Sequence, residues 1–474
     1  MKRQNYILLL IIFLSMLGSK ALAYDIAVEN EDGVTIYYNY INDYKELEVT
    51  YGDNKYRNCH EVKIPDVVTF MNRTRKVTSI GDKAFQDCRG LNSITIGSNI
   101  KSIGRRAFYD CSNMKEVIVK DIAAWCDIDL YSYEDTPIKY AHHLYCDENT
   151  EITDLIIPDG VSVIKRHAFT ECYGLKSVTF GNNVTLIETN AFWSCDNLES
   201  LTFPESVINI SDAAFGMCFG LKKVIVKNLA TWIQMFSEQN ADNPLYYAHH
   251  LYNDDNTEIT DLIVPLGITT IGNAFTGCYG IVSVTIPNSV TKIGNKAFSG
   301  CRNLTNINFP NSIMAIGVSA FYRCTSLISV TIPNNVTSIG EYAFFWCKSL
   351  TSVTIPNSIT SIGKCAFEDS DILTVISLIE NPSEIIGKSS SERTFSQNTF
   401  NNATLYVPSG TIDKYKATIG WKDFIYIEEG TPVGINTSKM EKKAEMKYFT
   451  IDGKRINEPQ KGLNIINRRK VVVK

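Results

Sequence analysis

The sequence predicts a repeat fold, a β-solenoid whose coils stack short strands into a curved parallel sheet closed by small β caps at both ends. Three observations predict it. The phrase Ile-Gly-x-x-Ala-Phe-x-x-Cys-x-x-Leu, with Lys165, Glu188 or Ser211 for the Gly in three units and Ser370 for the Cys in the last, recurs around Phe at 85, 108, 169, 192, 215, 275, 298, 321, 344 and 367, and seven of the nine intervals are 23 residues. A period that constant marks a repeat architecture. Each unit then closes on a strand pattern such as Ser352-Val353-Thr354-Ile355-Pro356, with the two-residue alternation of a half-buried strand. The Ile, Ala, Phe and Val of every unit fall on one inward side, and burying one Phe is worth about 1.5–3 kcal/mol, so the rings form a cohesive spine.

A chain of 474 residues is long for one globular core, but a solenoid grows by adding coils. The formal charge of −5, with Lys and Arg scattered singly, gives no basic surface for nucleic acid. Residues 1–23 read as a signal peptide: Lys2 and Arg3, an apolar run from Ile7 to Leu17, and the small-x-small end Ala21-Leu22-Ala23. No later segment reaches the ~18 apolar residues of a membrane span. An exported, surface-associated protein follows.

Residues 24–71 lack the repeat phrase but alternate in Val34-Thr35-Ile36-Tyr37-Tyr38 and Leu47 to Tyr51, as an N-terminal β cap would. Residues 72–373 hold the repeats. Two intervals, 61 and 60 residues, each admit a long coil, near 120–158 and 227–265. These are copies at an offset of 107: Tyr140-Ala-His-His-Leu-Tyr145 returns as Tyr247 to Tyr252, and Glu151-Ile-Thr-Asp-Leu as Glu258 to Leu262. Thirteen wall strands are expected between Glu61 and Leu378. Residues 374–428 read as a C-terminal cap, 429–447 as a polar linker, and 448–474 as a small β unit.

Nine of the 13 cysteines lie three residues after the repeated Phe, from Cys88 to Cys347. Their Cβ vectors run parallel, which a disulfide dihedral forbids, so a column of buried free thiols is expected. Cys126 and Cys146 differ, because the duplicate has Ile233 and Asn253 in their places. Both vanish together, as a bridged pair would. A disulfide and two free thiols stay open.

The unit Leu327-Ile-Ser-Val330-Thr-Ile332-Pro333, joined to the ten-fold repeat phrase, resembles the BspA-like class of leucine-rich repeats. The resemblance covers roughly Tyr24 to Glu428 and implies a leucine-rich-repeat β-solenoid of the kind that serves as a bacterial surface adhesin. The tail, through Ile451-Asp-Gly-Lys-Arg-Ile456, Lys461-Gly-Leu463 and Lys470-Val-Val-Val-Lys474, resembles a shortened type IX secretion sorting domain. That implies transport across an outer membrane of the Bacteroidota kind.

Catalytic chemistry finds no foothold. His142-His143 and His249-His250 suggest a metal, but the second copy lacks the cysteines that would complete a zinc set, so packing within the long coil is the reading. The acidic runs Asp147 to Glu151 and Asp254 to Glu258 lack the Gly and the spaced carboxylates of a calcium loop and read as hairpin turns. Gly317-Val318-Ser319 is the repeat phrase, with no base beside the serine. No catalytic, cofactor or metal residue is assigned. What remains is the outer face of the strands: Ser177 and Thr179, Ser200 and Thr202, Ser283 and Thr285, Asn306 and Asn308, Ser329 and Thr331, Ser352 and Thr354 should form two polar rows. Such a face suits a protein or glycan partner. The leading reading is therefore a non-enzymatic adhesin; the alternative is a structural or accessory polysaccharide-binding surface component. A hydrolase built around Trp125, Trp232 and the His pairs is the third.

Overall fold

A computed structural model describes residues 24–237, 243–383 and 393–431, together with the backbone of four short strands between 448 and 473. One regular coil explains the body. From Val290 to Ile307, the side chains of Val290, Ile293, Ala297, Phe298, Cys301, Leu304 and Ile307 are all buried, and every residue type between them is compatible with solvent. The inward set is spaced so that each coil turns three corners before meeting its successor.

The wall strands pair in parallel and in register. Ser177 faces Ser200, which faces Lys223, and Ser329 faces Ser352, which faces Thr374. A second parallel ladder, not anticipated, runs along another side through Thr270–Ile271, Lys292–Ile293, Ala315–Ile316, Ser338–Ile339 and Ser361–Ile362. Each of its rungs is two residues long, too short for an alternation to show. Fifteen wall strands lie between Glu61 and Ser377 rather than thirteen, because Leu144–Asp147 and Leu251–Tyr252 of the long coils each form one.

The third side is the Ala-Phe turn. Its backbone bonds also pass between coils, as from Phe298 N to Ala320 O (2.8 Å) and from Phe344 N to Ala366 O (2.7 Å). The rings stack nearly parallel, with Phe321–Phe344 at 5.1 Å and Phe344–Phe367 at 5.2 Å. Every turn but that of Phe275 places the residues two before and two after the Phe in the left-handed region, as at Ser319 and Arg323 or Tyr342 and Trp346. The Gly after the repeated Ile has no such φ. A Cβ on Gly340 would lie 2.5 Å from the carbonyl carbon of Gly317, so that glycine answers to the closeness of the neighbouring coil.

The thiol column is ordered by hydrogen bonds as well as packing. Cys195, Cys218, Cys301, Cys324 and Cys347 each donate from Sγ to the carbonyl of the Phe in the preceding coil, at 3.1–3.3 Å. No disulfide is formed among the described residues. The pair left open by the sequence lies in two different settings: Cys126 ends the helix Ile122–Cys126 with its sulfur in the core, whereas Cys146 is exposed on the strand Leu144–Asp147.

At the N-terminal end Ile26–Glu29, Thr35–Ile41 and Glu46–Val49 form an antiparallel meander whose last strand joins Arg73–Ile80 in parallel. The boundary expected at 71 falls inside the hairpin Val67–Phe70/Arg73–Ile80, which turns on left-handed Met71 and Asn72. Tyr56 closes the ring stack, 4.8 Å from Phe85. At the other end the stack outlasts the repeat phrase. Phe395 lies 5.2 Å from Phe367 and parallel to it, covered by Phe400, Trp421 and Phe424. The wall continues there through Thr404–Val407 and Tyr426–Glu429. The signal peptide (1–23) and nearly all of the linker (429–447) lie outside the described residues. The described strands Tyr448–Thr450, Arg455–Ile456, Gly462–Ile466 and Arg469–Val473 pair as a four-stranded antiparallel sheet.

Candidate functional site: the strand wall and the long coils

Because neighbouring strands are in register, the residues singled out from the sequence do form rows, though broken ones. Asn306, Asn308, Ser329 and Thr331 are exposed; Ser177, Thr179, Ser200, Thr202, Ser283, Thr285 and Ser352 are partly so. Thr354 is the exception and is buried: its next neighbours in the row are Ile376 and Tyr406, larger than the hydroxyl residues of the preceding coils. Lys223 and Ile225 interrupt the rows before the second long coil.

Two neighbouring features were missed. Asp154 and Asp261, from the repeated Ile-Thr-Asp-Leu, accept the hydroxyls of Ser177 and Ser283 and so anchor the first rung of each block. A third row flanks the strands, with backbone bonds from Glu199 N to Lys176 O and Lys222 N to Glu199 O in one block, and from Thr305 N to Val282 O through Leu373 N to Thr351 O in the other. It is charged in the first case. In the second it presents Val282, Ile328 and Leu373 to solvent.

Asp154, Lys176, Ser177, Glu199, Ser200, Lys222 and Lys223 line a shallow groove of about 240 Å³. Lys222 Nζ lies 2.8 Å from Glu199 Oε1 and holds that carboxyl below its ordinary range. Lys223 Nζ reaches Asn256 Oδ1 at 3.3 Å and stands 5.9 Å over the Tyr252 ring.

The long coils spend their distinctive residues on joining coils. Trp125 and Trp232 are buried, and their indole N–H groups donate to Ala168 O (2.8 Å) and Ala274 O (2.9 Å). His142 and His249 are the left-handed ends of short helices; each ring stacks on a tyrosine of the next coil, Tyr173 or Tyr279, at 4.4 and 3.9 Å. His143 and His250 lie 2.6 Å from Glu151 and Glu258. Trp125, Trp232, His142 and His249 are thus committed to a neighbouring coil, whereas His143 and His250 pair within their own long coil. Among the described residues no group of three or more His, Cys, Asp or Glu could hold a metal.

The acidic runs are hairpin turns, as expected. The first does more. Glu148 leans back across the wall to Lys63 (2.8 Å), which also pairs with Asp32 (3.1 Å) and Glu61 (3.4 Å). Beneath this strap Thr95 and Ile118 are buried.

A three-sided coil with a Phe turn and a Cys column, repeated across most of the chain, is matched by the family model described as BspA type leucine rich repeat region, in six copies over residues 52–140, 143–242 and 252–374. The chain belongs to the BspA-type leucine-rich repeat family. Among solved structures, this BspA-type chain is similar to a leucine rich cell surface protein from Faecalibacterium prausnitzii (25% identity, 77% of this chain and 96% of that one, TM-score 0.44). It is similar also to a leucine-rich repeat protein from Bacteroides ovatus (25%, 74% and 94%, TM-score 0.43) and to the pneumococcal vaccine antigen PcpA (19%, 86% and 100%, TM-score 0.47). No curated protein matches the sequence. No helix among the described residues is long and apolar enough to cross a membrane.

Proposed function

We propose that this BspA-type solenoid is an exported, non-enzymatic recognition protein that binds host matrix proteins, cells or glycans through its strand wall. The observation that carries this reading is the open face of Asn306, Asn308, Ser329 and Thr331, flanked by exposed Val282, Ile328 and Leu373. Donors and acceptors alternate there with apolar groups on a rigid backbone, which limits the entropy lost on binding. In the same reading, residues 1–23 direct export and 448–474 act as a sorting unit that leaves the protein at or shed from the cell surface.

The test is a glycan array and a matrix-protein panel probed with the full-length chain and with Asn308→Arg. Selective binding that the variant loses supports the wall as the site. Binding to nothing on either panel, or binding indifferent both to Asn308→Arg and to Lys223→Glu, overturns it.

A further inference from the structure

The duplicated long coils allow the molecule to be compared with itself. Contacts of the Trp, the His–Tyr stacks and the His–Glu pairs recur in both copies, so folding requires them. The walls that precede them have diverged. In the first, one row reads Glu61, Ser93, Glu116; in the second the matching row reads Ser177, Ser200, Lys223. The adjoining row Lys63, Thr95, Ile118, Tyr145 becomes Thr179, Thr202, Ile225, Tyr252. Acidic positions have become hydroxyl or cationic.

The same exchange decides which wall is open. Lys63 draws the first hairpin down through Glu148, whereas Thr179 offers no cation to the second, whose Asp255 instead accepts from its own Thr257 N–H at 2.9 Å. Thr179 and Thr202 stay partly exposed. Beside this row, toward the starts of the same strands, the groove carries three lysines against two carboxylates, Asp154 bonded to Ser177 and Glu199 paired with Lys222. Among the described residues Lys176 and Lys223 have no carboxylate within 4 Å.

We propose that this groove binds a carboxylate-bearing saccharide of the uronate or sialate kind, a deepening that rests on the recognition reading above. The carboxylate sits at Lys176 and Lys223, the Ser200 hydroxyl serves the sugar hydroxyls, and the Tyr252 ring borders the site. An acidic peptide fits less well. The strands Ser177–Thr179 and Ser200–Phe203 are paired on both sides, so the groove has no free backbone edge to which a peptide strand could add. Rungs about 4.8 Å apart instead repeat hydroxyl and ammonium groups at roughly the spacing of linked sugar rings.

The test titrates the full-length protein with trigalacturonate and with sialyllactose, against maltotriose, lactose and hexaglutamate. Binding of either acidic sugar, weakened by added salt, absent with the neutral sugars and reduced about tenfold or more by Lys223→Glu but not by Lys422→Glu on the exposed C-terminal cap, is the expected result. Equal binding of neutral sugars, competition by hexaglutamate, or indifference to both Lys223→Glu and Lys176→Glu overturns the proposal. Should array ligands depend on Asn308 and none on Lys223, the recognition reading stands and this site falls.

Discussion

Ser370 Oγ donates to the Phe344 carbonyl oxygen at 3.1 Å, in the place where the preceding coils put a cysteine sulfur, and it accepts from Cys347 N at 3.2 Å. The repeat therefore selects a small side chain with a donor, and cysteine is one of two that serve. In the regular coils the Phe carbonyl oxygen also accepts a backbone bond, as Phe298 O does from Cys301 N at 3.0 Å, so the side-chain donor supplies its second hydrogen bond, worth about 1 kcal/mol.

Cys324→Ser should accordingly cost less than Cys324→Val, although valine is the closer apolar match. Denaturant unfolding of the two variants gives the comparison. The expected gap is about 1 kcal/mol in favour of serine, and the reverse order would mean that the column is packing alone.

Burial pushes the thiols of Cys172, Cys278 and Cys347 up to about 12. Because the thiolate is the reactive form, native protein at mildly alkaline pH should take up alkylating reagent rapidly at exposed Cys146 and slowly at the ladder. After unfolding, intact mass should show all 13 cysteines labelled. A count two short would restore the Cys126–Cys146 bridge.

Phe395 belongs to the stack although Thr394 precedes it where other coils have Ala. Phe395→Ala should therefore destabilise the C-terminal end by about 3–5 kcal/mol, as Phe321→Ala does in the middle. Hydrogen exchange separates the two: loss of protection should centre on Thr374–Val407 in the first and on the coils either side of Phe321 in the second.

Burial holds His167 and His249 below the ordinary histidine range. Both are mostly neutral in folded and unfolded chains at pH 7, so they affect stability little there. As the pH falls through about 6.5 the unfolded chain takes up protons that the folded one refuses, and stability is lost until the folded values are passed. The melting temperature should drop between pH 7 and 5. Replacing both histidines with Asn should flatten that part of the profile.

The body of the fold was legible because each coil repeats the same inward residues: ten phenylalanines announced their own register, and the duplicated motifs located the long coils. The second ladder was hidden by its brevity. Phe395 was hidden because it sits in a polar stretch with Thr394 beside it. On the wall, sequence supplied the polar rows but not their covering, since the burial of Thr354 depends on Ile376 and that of Thr95 on a lysine more than thirty residues earlier. Long side chains decide such contacts by reach, and period says nothing about reach.

The long coils also divide the aromatic stack into separate files: Phe85 with Phe108, then Phe169 through Phe215, then Phe275 through Phe395. In an array whose units hold only their neighbours, such interruptions behave as firebreaks. Fraying that starts at one tip should halt at Trp125 or Trp232, so that under pulling force the molecule would yield in three discrete steps.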